Sequence, residues 1–288
     1  MSDLSALNSL SSALAATVAQ AAPSVVSVHS HRARATGFVW KPGLVVTADE
    51  ALADEGEVTL AFADGTTRPA VIAGRDHTTD IALLRFEDKV APAAPLATDL
   101  PPLGALAVIA AADQGTPVAA LAMISKSAGP WRSLRGGDID ARIELDTRLR
   151  HSSEGGLVLD AEGRAVGMAV RGPRRTLVIP STTIARVAAK LESHGRIARG
   201  YLGAALQPVR LDDGTGAMVM SVDKNGPAAA AGLRQGDVIT ALNNQPFRGM
   251  RALMRELGPD SVGAVIEVAA LRAGEATQFV LTIGERPA

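Results

Sequence analysis

Apolar residues come in short runs separated by turn-forming residues along most of this chain. The opening is different: Leu4, Leu7, Leu10 and Leu14 recur at helical spacing, which predicts an amphipathic lead-in helix over 1–22. After it the period shortens. Val, Ile and Leu fill SVVSVHS (24–30), TGFVW (36–40), LVVTA (44–48), EVTLAFA (57–63), PAVIAG (69–74) and DIALLRF (80–86). Turn signals such as Lys41-Pro42-Gly43 and Asp64-Gly65 separate these runs. Six short strands at this spacing predict a small antiparallel barrel.

Residues 91–104 (APAAPLATDLPPLG) are Pro-rich and apolar without period, so they read as a connector. Then ALAVIAA (105–111), TPVAALAMIS (116–125), DARIELD (140–146), GLVLD (156–160), AVGMAV (165–170) and TLVIP (176–180) repeat the first pattern. Two six-stranded antiparallel barrels in tandem, about 23–90 and about 104–181, account for both series. In STTIARVAAKLESH (181–194), Ile184, Val187, Ala188 and Leu191 line one helical face, with Ser181 or Thr182 as the expected cap and Gly195 as the stop. The expected organisation is a lead-in helix, a mainly β double barrel with its closing helix over 23–198, and an α+β module over 199–288.

Charge narrows the function. Lys and Arg number 29 against 30 acidic residues, so no net field favours nucleic acid or an anionic membrane. No run approaches the ~20 apolar residues that would insert into a bilayer. The chain has no cysteine, which excludes disulfides and thiolate metal sites. The first basic residue is Arg32, so no charged stretch precedes the apolar opening, and a cytoplasmic protein is expected.

Four stretches carry candidate chemistry. They are Gly37-Phe38-Val39 through Val46-Thr47-Ala48-Asp49-Glu50-Ala51-Leu52; Gly74-Arg75-Asp76-His77-Thr78-Thr79-Asp80-Ile81-Ala82-Leu83-Leu84; Asp146 followed eight residues later by Glu154-Gly155-Gly156; and Arg199-Gly200-Tyr201-Leu202-Gly203-Ala204. In this order they resemble the trypsin-like serine proteases of the HtrA/DegP type, which carry a C-terminal PDZ domain. The resemblance implies a chymotrypsin-like double barrel, and it places the catalytic histidine, aspartate and serine at Glu50, Asp80 and Glu154. Only the aspartate is kept.

A triad needs an alcohol that becomes a nucleophile and an imidazole that carries its proton. A carboxylate at 50, with a reference pKa of ~4.3, is a weak base for an alcohol. A carboxylate at 154 opposes the charge of a developing oxyanion. His151, Ser152 and Ser153 supply the missing residue types, but neighbouring side chains on a turn diverge. These substitutions predict a protein that is not an enzyme. Three carboxylates meeting in one cleft would be relieved by a shared proton, by Arg148 and Arg150, or by Ca²⁺, Mg²⁺ or Mn²⁺, which prefer oxygen ligands; no other cofactor is expected. His29 and His31 are expected on one strand face without a third ligand.

The last module departs little from the PDZ pattern. Gly226-Pro227-Ala228-Ala229-Ala230-Ala231-Gly232-Leu233 and Gly236-Asp237-Val238-Ile239 match its helix-turn-strand core, and Asn243-Asn244 supplies a hairpin turn. The resemblance implies that Tyr201, Leu202, Gly203 and Ala204 present N–H groups to a peptide's terminal carboxylate. The ligand would then lie beside Ala204–Leu206, with Leu202, Leu206, Met250, Leu253, Met254 and Leu257 forming an apolar pocket. The expected function is that of an inactive HtrA-like pseudoprotease, a scaffold or regulator that binds a protein or peptide with a free C-terminus. The alternative is a metal-binding or weakly hydrolytic site at Glu50, Asp80 and Glu154. Relatives of this type trimerise through aromatic-rich N-terminal segments, whereas no aromatic residue precedes Phe38 here; a homo-oligomer is left open.

Overall fold

The computed structural model describes residues 2–31, 33–53, 56–87, 91–212, 214–258 and 261–285; the side chain of Leu4 lies outside the described residues. The chain divides into two compact units, Met1–Ile197 and Ala198–Ala288. Among the described residues no helix is long and apolar enough to cross a membrane.

The first unit opens with α1 (Ser2–Ala21). It continues with β1 (Val25–Ser30), β2 (Ala33–Lys41), β3 (Leu44–Thr47), β4 (Val58–Phe62), β5 (Thr67–Asp76) and β6 (Ile81–Phe86). These strands close into a barrel in the order β1-β2-β3-β6-β5-β4, with every pairing antiparallel. On β4, Val58, Leu60 and Phe62 are buried while Thr59 and Ala61 are half-exposed, so the two-residue period seen in the sequence is the barrel's inside and outside.

The second series is β7 (Leu106–Asp113), β8 (Thr116–Ala128), a small hairpin of β9 (Trp131–Arg132) and β10 (Asp138–Ile139), then β11 (Arg142–Leu145), β12 (Leu157–Leu159), β13 (Ala165–Arg171) and β14 (Thr176–Pro180). All but the hairpin close a second antiparallel barrel, β11-β14-β13-β12-β7-β8. The unit is therefore a chymotrypsin-like pair of six-stranded barrels. The hairpin was not foreseen, because WRSLRGGD (131–138) is polar and carries no alternation.

Thr36 on β2 stitches the barrels together. Its N–H donates to the Glu154 carbonyl (2.8 Å), and its hydroxyl donates to the Ser152 carbonyl (2.7 Å) and accepts from the Ala112 N–H (3.1 Å). Its own carbonyl accepts from the Thr47 hydroxyl (2.7 Å). A buried residue of the first barrel thus fixes the turn at residues 151–156 of the second.

Helix α2 (Ser181–His194) follows, with Ile184, Val187, Ala188 and Leu191 buried as their spacing requires. Its expected cap is corrected. Pro180 occupies the capping position, and Ser181 is buried with its hydroxyl donating to the Ala165 carbonyl (2.5 Å). A hydroxyl removed from water takes the partner its surroundings offer. The histidine pair is corrected as well: His29 lies on β1, but His31 sits in the turn beyond it at φ 53°, off the strand face.

The second unit contains β15 (Gly200–Tyr201), β16 (Ala204–Leu211), β17 (Gly214–Val222), α3 (Pro227–Ala230), β18 (Val238–Leu242), β19 (Gln245–Pro246), α4 (Met250–Glu256), β20 (Val265–Arg272), β21 (Glu275–Thr282) and β22 (Gly284–Glu285). The main sheet runs β16-β17-β18-β20-β21, with β19 beside β18; β15 pairs with β22. Asn243 and Asn244 take positive φ (46° and 60°), the turn that a two-residue hairpin needs. Asp237 is buried at the start of β18. It accepts both Arg272 guanidinium bonds (2.8 Å each) and the Arg234 N–H, and the Arg272 bonds lead in holding its carboxyl below the usual range. That clamp explains the Gly236-Asp237 pair physically: it ties β18 to the end of β20.

Candidate functional site

The three residues expected at the triad positions come from three separate turns of the first unit. Glu50 sits in a single 3₁₀ turn after β3 (Asp49–Ala51), and its side chain is 43% exposed. Its N–H donates to Asp80 Oδ1 (2.8 Å), while its Oε1 pairs with Arg135 Nη1 (2.9 Å) from the β9–β10 loop. Arg135 also donates to the His77 carbonyl (3.3 Å), so it spans the mouth of this cleft.

Asp80 lies between β5 and β6 in the left-handed region, at φ 58°. Burial pushes its carboxyl up to about 7; the Glu50 N–H opposes this, and the charges of Glu50, Glu154 and Asp49 add to it. A proton on Asp80 near neutral pH is how this group avoids a bare buried charge.

Glu154 is fully buried. Arg171 at the end of β13 donates to it from Nε (2.7 Å) and from its backbone N–H (3.3 Å), and His151 Nδ1 is 3.9 Å away. The backbone of the turn is equally committed. The N–H groups of Ser153, Glu154 and Gly155 donate to the carbonyls of Arg150, His151 and Ala169 at 3.1, 3.3 and 2.8 Å. An oxyanion site needs N–H donors turned toward the cleft; these three are held within the protein. Gly155 has φ 88°, and an added Cβ would stand 2.0 Å from the Thr36 carbonyl, so only glycine fits where the turn meets the seam.

Asp49 joins this group without any motif to mark it. It is buried beside Glu50, bonded to Arg75 Nε and lying 2.5 Å from His77 Nδ1, and Arg75 also donates to its carbonyl (3.1 Å). The available signal was Arg75 near the end of β5 and His77 in the turn directly after it, two basic side chains close in sequence. The cleft is therefore a set of separate ion pairs. Arg135 and Arg171 hold Glu50 and Glu154, in place of the expected Arg148 and Arg150, because the β9–β10 loop and the end of β13 are what fold against them. Among the described residues no group of three His, Asp or Glu is arranged to hold a metal ion.

In the second unit β16 is the edge strand of its sheet. The preceding loop anchors its carbonyls: Leu202 O accepts from Ala228 N–H (2.7 Å) and Gly203 O from Asp223 N–H (2.9 Å). Trans planarity then turns the N–H groups of Gly203 and Ala204 the opposite way, away from α3 and β17. Gly203 (φ 73°) packs so close to Gly226 that a Cβ would meet its Cα at 2.9 Å. The backbone direction along β16 follows from β17. Val219 N–H donates to Asp237 O and Val219 O accepts from Gly236 N–H, so Val219 bonds toward β18. Its partner Leu206, and by alternation Pro208 and Arg210, present their backbones to the open edge.

The expected pocket residues divide. Leu202 and Leu253 are buried in the core of the second unit. Ala204, Leu206, Met250 and Leu257 are half-buried against that core, Met254 is 51% exposed, and the Tyr201 hydroxyl bonds Asp223. Both core leucines face inward because an edge strand and a short helix need a shared floor. Met250 and Met254, one turn apart on α4, share one face of that helix.

These features define a chymotrypsin-like double barrel with carboxylates at Glu50, Asp80 and Glu154, followed by a sheet-and-helix module with an open edge strand. The model of the trypsin-like peptidase domain matches residues 35–168 and that of the PDZ domain residues 200–283. The chain is an HtrA/DegP homologue: a trypsin-like peptidase domain joined to a PDZ domain. It is 28% identical over 274 residues to the probable periplasmic serine endoprotease DegP-like of Rhizobium meliloti (strain 1021), covering 89% of this chain and 54% of that protein. To the protein of the same name from Chlamydia muridarum (strain MoPn / Nigg) it is 29% identical over 275 residues, covering 88% and 54%. The chain thus spans about half the length of these curated relatives. Among solved structures, a serine endoprotease from Yersinia pestis superposes with a TM-score of 0.72 at 24% identity, covering 95% of this chain and 98% of that one. The HtrA-type protease AlgW with decapeptide gives 0.71 at 22%, covering 96% and 99%.

Two expectations are corrected by these findings. The relatives are named serine endoproteases, which overturns the reading of a protein that is not an enzyme. Their names also place them in the periplasm, which overturns the cytoplasmic reading taken from an uncharged N-terminus.

Proposed function

We propose that this chain is a periplasmic HtrA-type protein that captures the C-terminal ends of other polypeptides in its PDZ groove and acts through that capture as a scaffold or regulator. One observation carries the reading: β16 is an unpaired edge whose entry loop turns the Gly203 and Ala204 N–H groups outward. Such an edge accepts an added strand, and outward N–H groups at its start suit a terminal carboxylate. Leu206, Met250 and Met254 border the space, and flexible methionines adapt to varied apolar side chains.

Glu50 is paired with Arg135 and Glu154 is buried on Arg171, an arrangement that favours capture over the ordinary triad route at residues 50, 80 and 154. Endoproteolysis of the kind the relatives are named for would need a hydroxyl from elsewhere, with Ser152 and Ser153 of the same turn the nearest in sequence. The deciding experiment compares one fluorescent peptide with a free C-terminus and the same peptide amidated. Binding of the free form and loss of the amidated form supports capture; equal binding, or none, removes it. In parallel, labelling of Ser152 or Ser153 by a fluorophosphonate would show that the cleft runs acyl chemistry and reverse the assignment of roles.

A further inference from the structure

We propose that the groove selects polypeptide tails carrying an acidic residue about six positions upstream of an apolar C-terminus, and that Arg210 reads it. The inference rests on the capture proposed above and names the class of polypeptide that fits.

Backbones of Leu206, Pro208 and Arg210 face the open edge of β16, and side chains two apart on a strand share a face. That face is the one carrying Ala217 and Val219, cross-strand partners of Pro208 and Leu206, both fully buried against the core beneath α4. From the entry loop outward the groove floor therefore reads Ala204, Leu206, Pro208, Arg210: half-buried apolar, half-buried apolar, exposed proline, exposed cation. A tail added antiparallel with its carboxylate at the Gly203 and Ala204 N–H groups lies residue for residue along this row. Its terminal side chain faces Ala204, the side chain two upstream faces Leu206, and the one six upstream lies beside Arg210, about 20 Å from the terminus at ~3.3 Å per residue. Directly opposed side chains on one sheet face approach within ~5.5 Å, close enough for a carboxylate to meet a guanidinium.

Arg210 is available for this. It makes no ion pair among the described residues, and its partner across β17 is the neutral Thr215. Asp212, in the turn after β16, is the nearest described acid in sequence. Arg251, exposed on α4 next to Met250, adds positive charge to the opposite rim. Helix α4 spans only about 10 Å at 1.5 Å per residue, and its end is tied to the entry loop by the Gly200 N–H donating to Leu257 O. Arg251 therefore sits nearer the middle of the bound tail than Arg210 does. The charge at the far end comes from the strand.

The test uses the full chain and three labelled decapeptides. Each ends in Val, has Val two residues upstream, Ser and Gly elsewhere, and Glu, Gln or Lys six residues from the end. Fluorescence anisotropy should rank them Glu, Gln, Lys, with the Glu and Lys forms separated about three- to tenfold at low salt. The gap should shrink in 0.5 M NaCl, as rim electrostatics do. Arg210→Glu should reverse the order, a result that an unfolded variant cannot give. Equal affinity for all three, or an order unchanged by Arg210→Glu, overturns the selection while leaving capture intact. Failure of the neutral Gln peptide to bind at all overturns capture itself and the selection with it.

Discussion

The turn at residues 151–156 and the loop at residues 201–204 are both glycine-bearing entries to a strand, and they treat their backbone donors in opposite ways. In the first, the N–H groups of Ser153, Glu154 and Gly155 are all bonded within the protein, and the side chain at 154 is clamped by Arg171. In the second, it is the carbonyls of Leu202 and Gly203 that are anchored, which frees the following N–H groups to face outward. A backbone that satisfies itself makes a stable seam; one that leaves donors outward makes a place for a ligand. The same small residues serve both, so composition alone does not tell a closed turn from a receptive one.

That contrast can be broken at several points. The largest effect is expected from Arg171→Leu, which strands a fully buried Glu154 carboxylate and should cost about 3–5 kcal/mol in urea unfolding. Replacing Arg171 and Glu154 together by Leu should recover most of that loss, and a double variant as unstable as the single one would show that the pair is not the cause. Next comes Thr36→Val, expected to cost about 1–3 kcal/mol because it leaves the Ala112 N–H and the Ser152 carbonyl without their partner. An unchanged midpoint would mean the barrels are held by packing alone.

Asp80 gives a smaller effect with a definite sign. Its folded value of about 7 lies above the unfolded 3.8, so the folded state holds the extra proton between those values. Stability from this group is present below about pH 4 and declines as pH rises toward 7. Asp80→Asn, which keeps an oxygen for the Glu50 N–H, should flatten that decline and melt higher than the parent at pH 8, with the difference narrowing at pH 5. Parallel curves would sink the assignment. The smallest change is expected from Ca²⁺ or Mn²⁺, which would have to displace Arg135 and Arg171 from the carboxylates. Melting temperatures should hold steady, and a rise abolished by Glu154→Ala would place a cation in the cleft.

The fold was largely legible because barrel strands advertise themselves: Val58, Leu60 and Phe62 alternate with outward residues, and so a two-residue period survives in the sequence. The triad positions were assigned through order and spacing, not through chemistry. What stayed hidden was pairing. Asp49, buried between Arg75 and His77, reads as one more polar residue in a turn, because partners 26 and 28 residues away are chosen by strand register. The same holds for Arg135, whose hairpin has no alternating pattern to betray it, and for Leu202 and Leu253, where an apolar residue in the right motif can as easily form floor as wall.

Pro208 sits in the middle of the open edge with its nitrogen facing outward, where every other residue of that row offers a hydrogen. A second sheet sliding alongside would meet a gap in the ladder at that point, whereas a short tail held at its terminus by the entry loop has already docked before reaching it. An edge interrupted in this way favours the proposed capture of chain ends over fibre-like stacking of copies, an asymmetry produced by one imino acid.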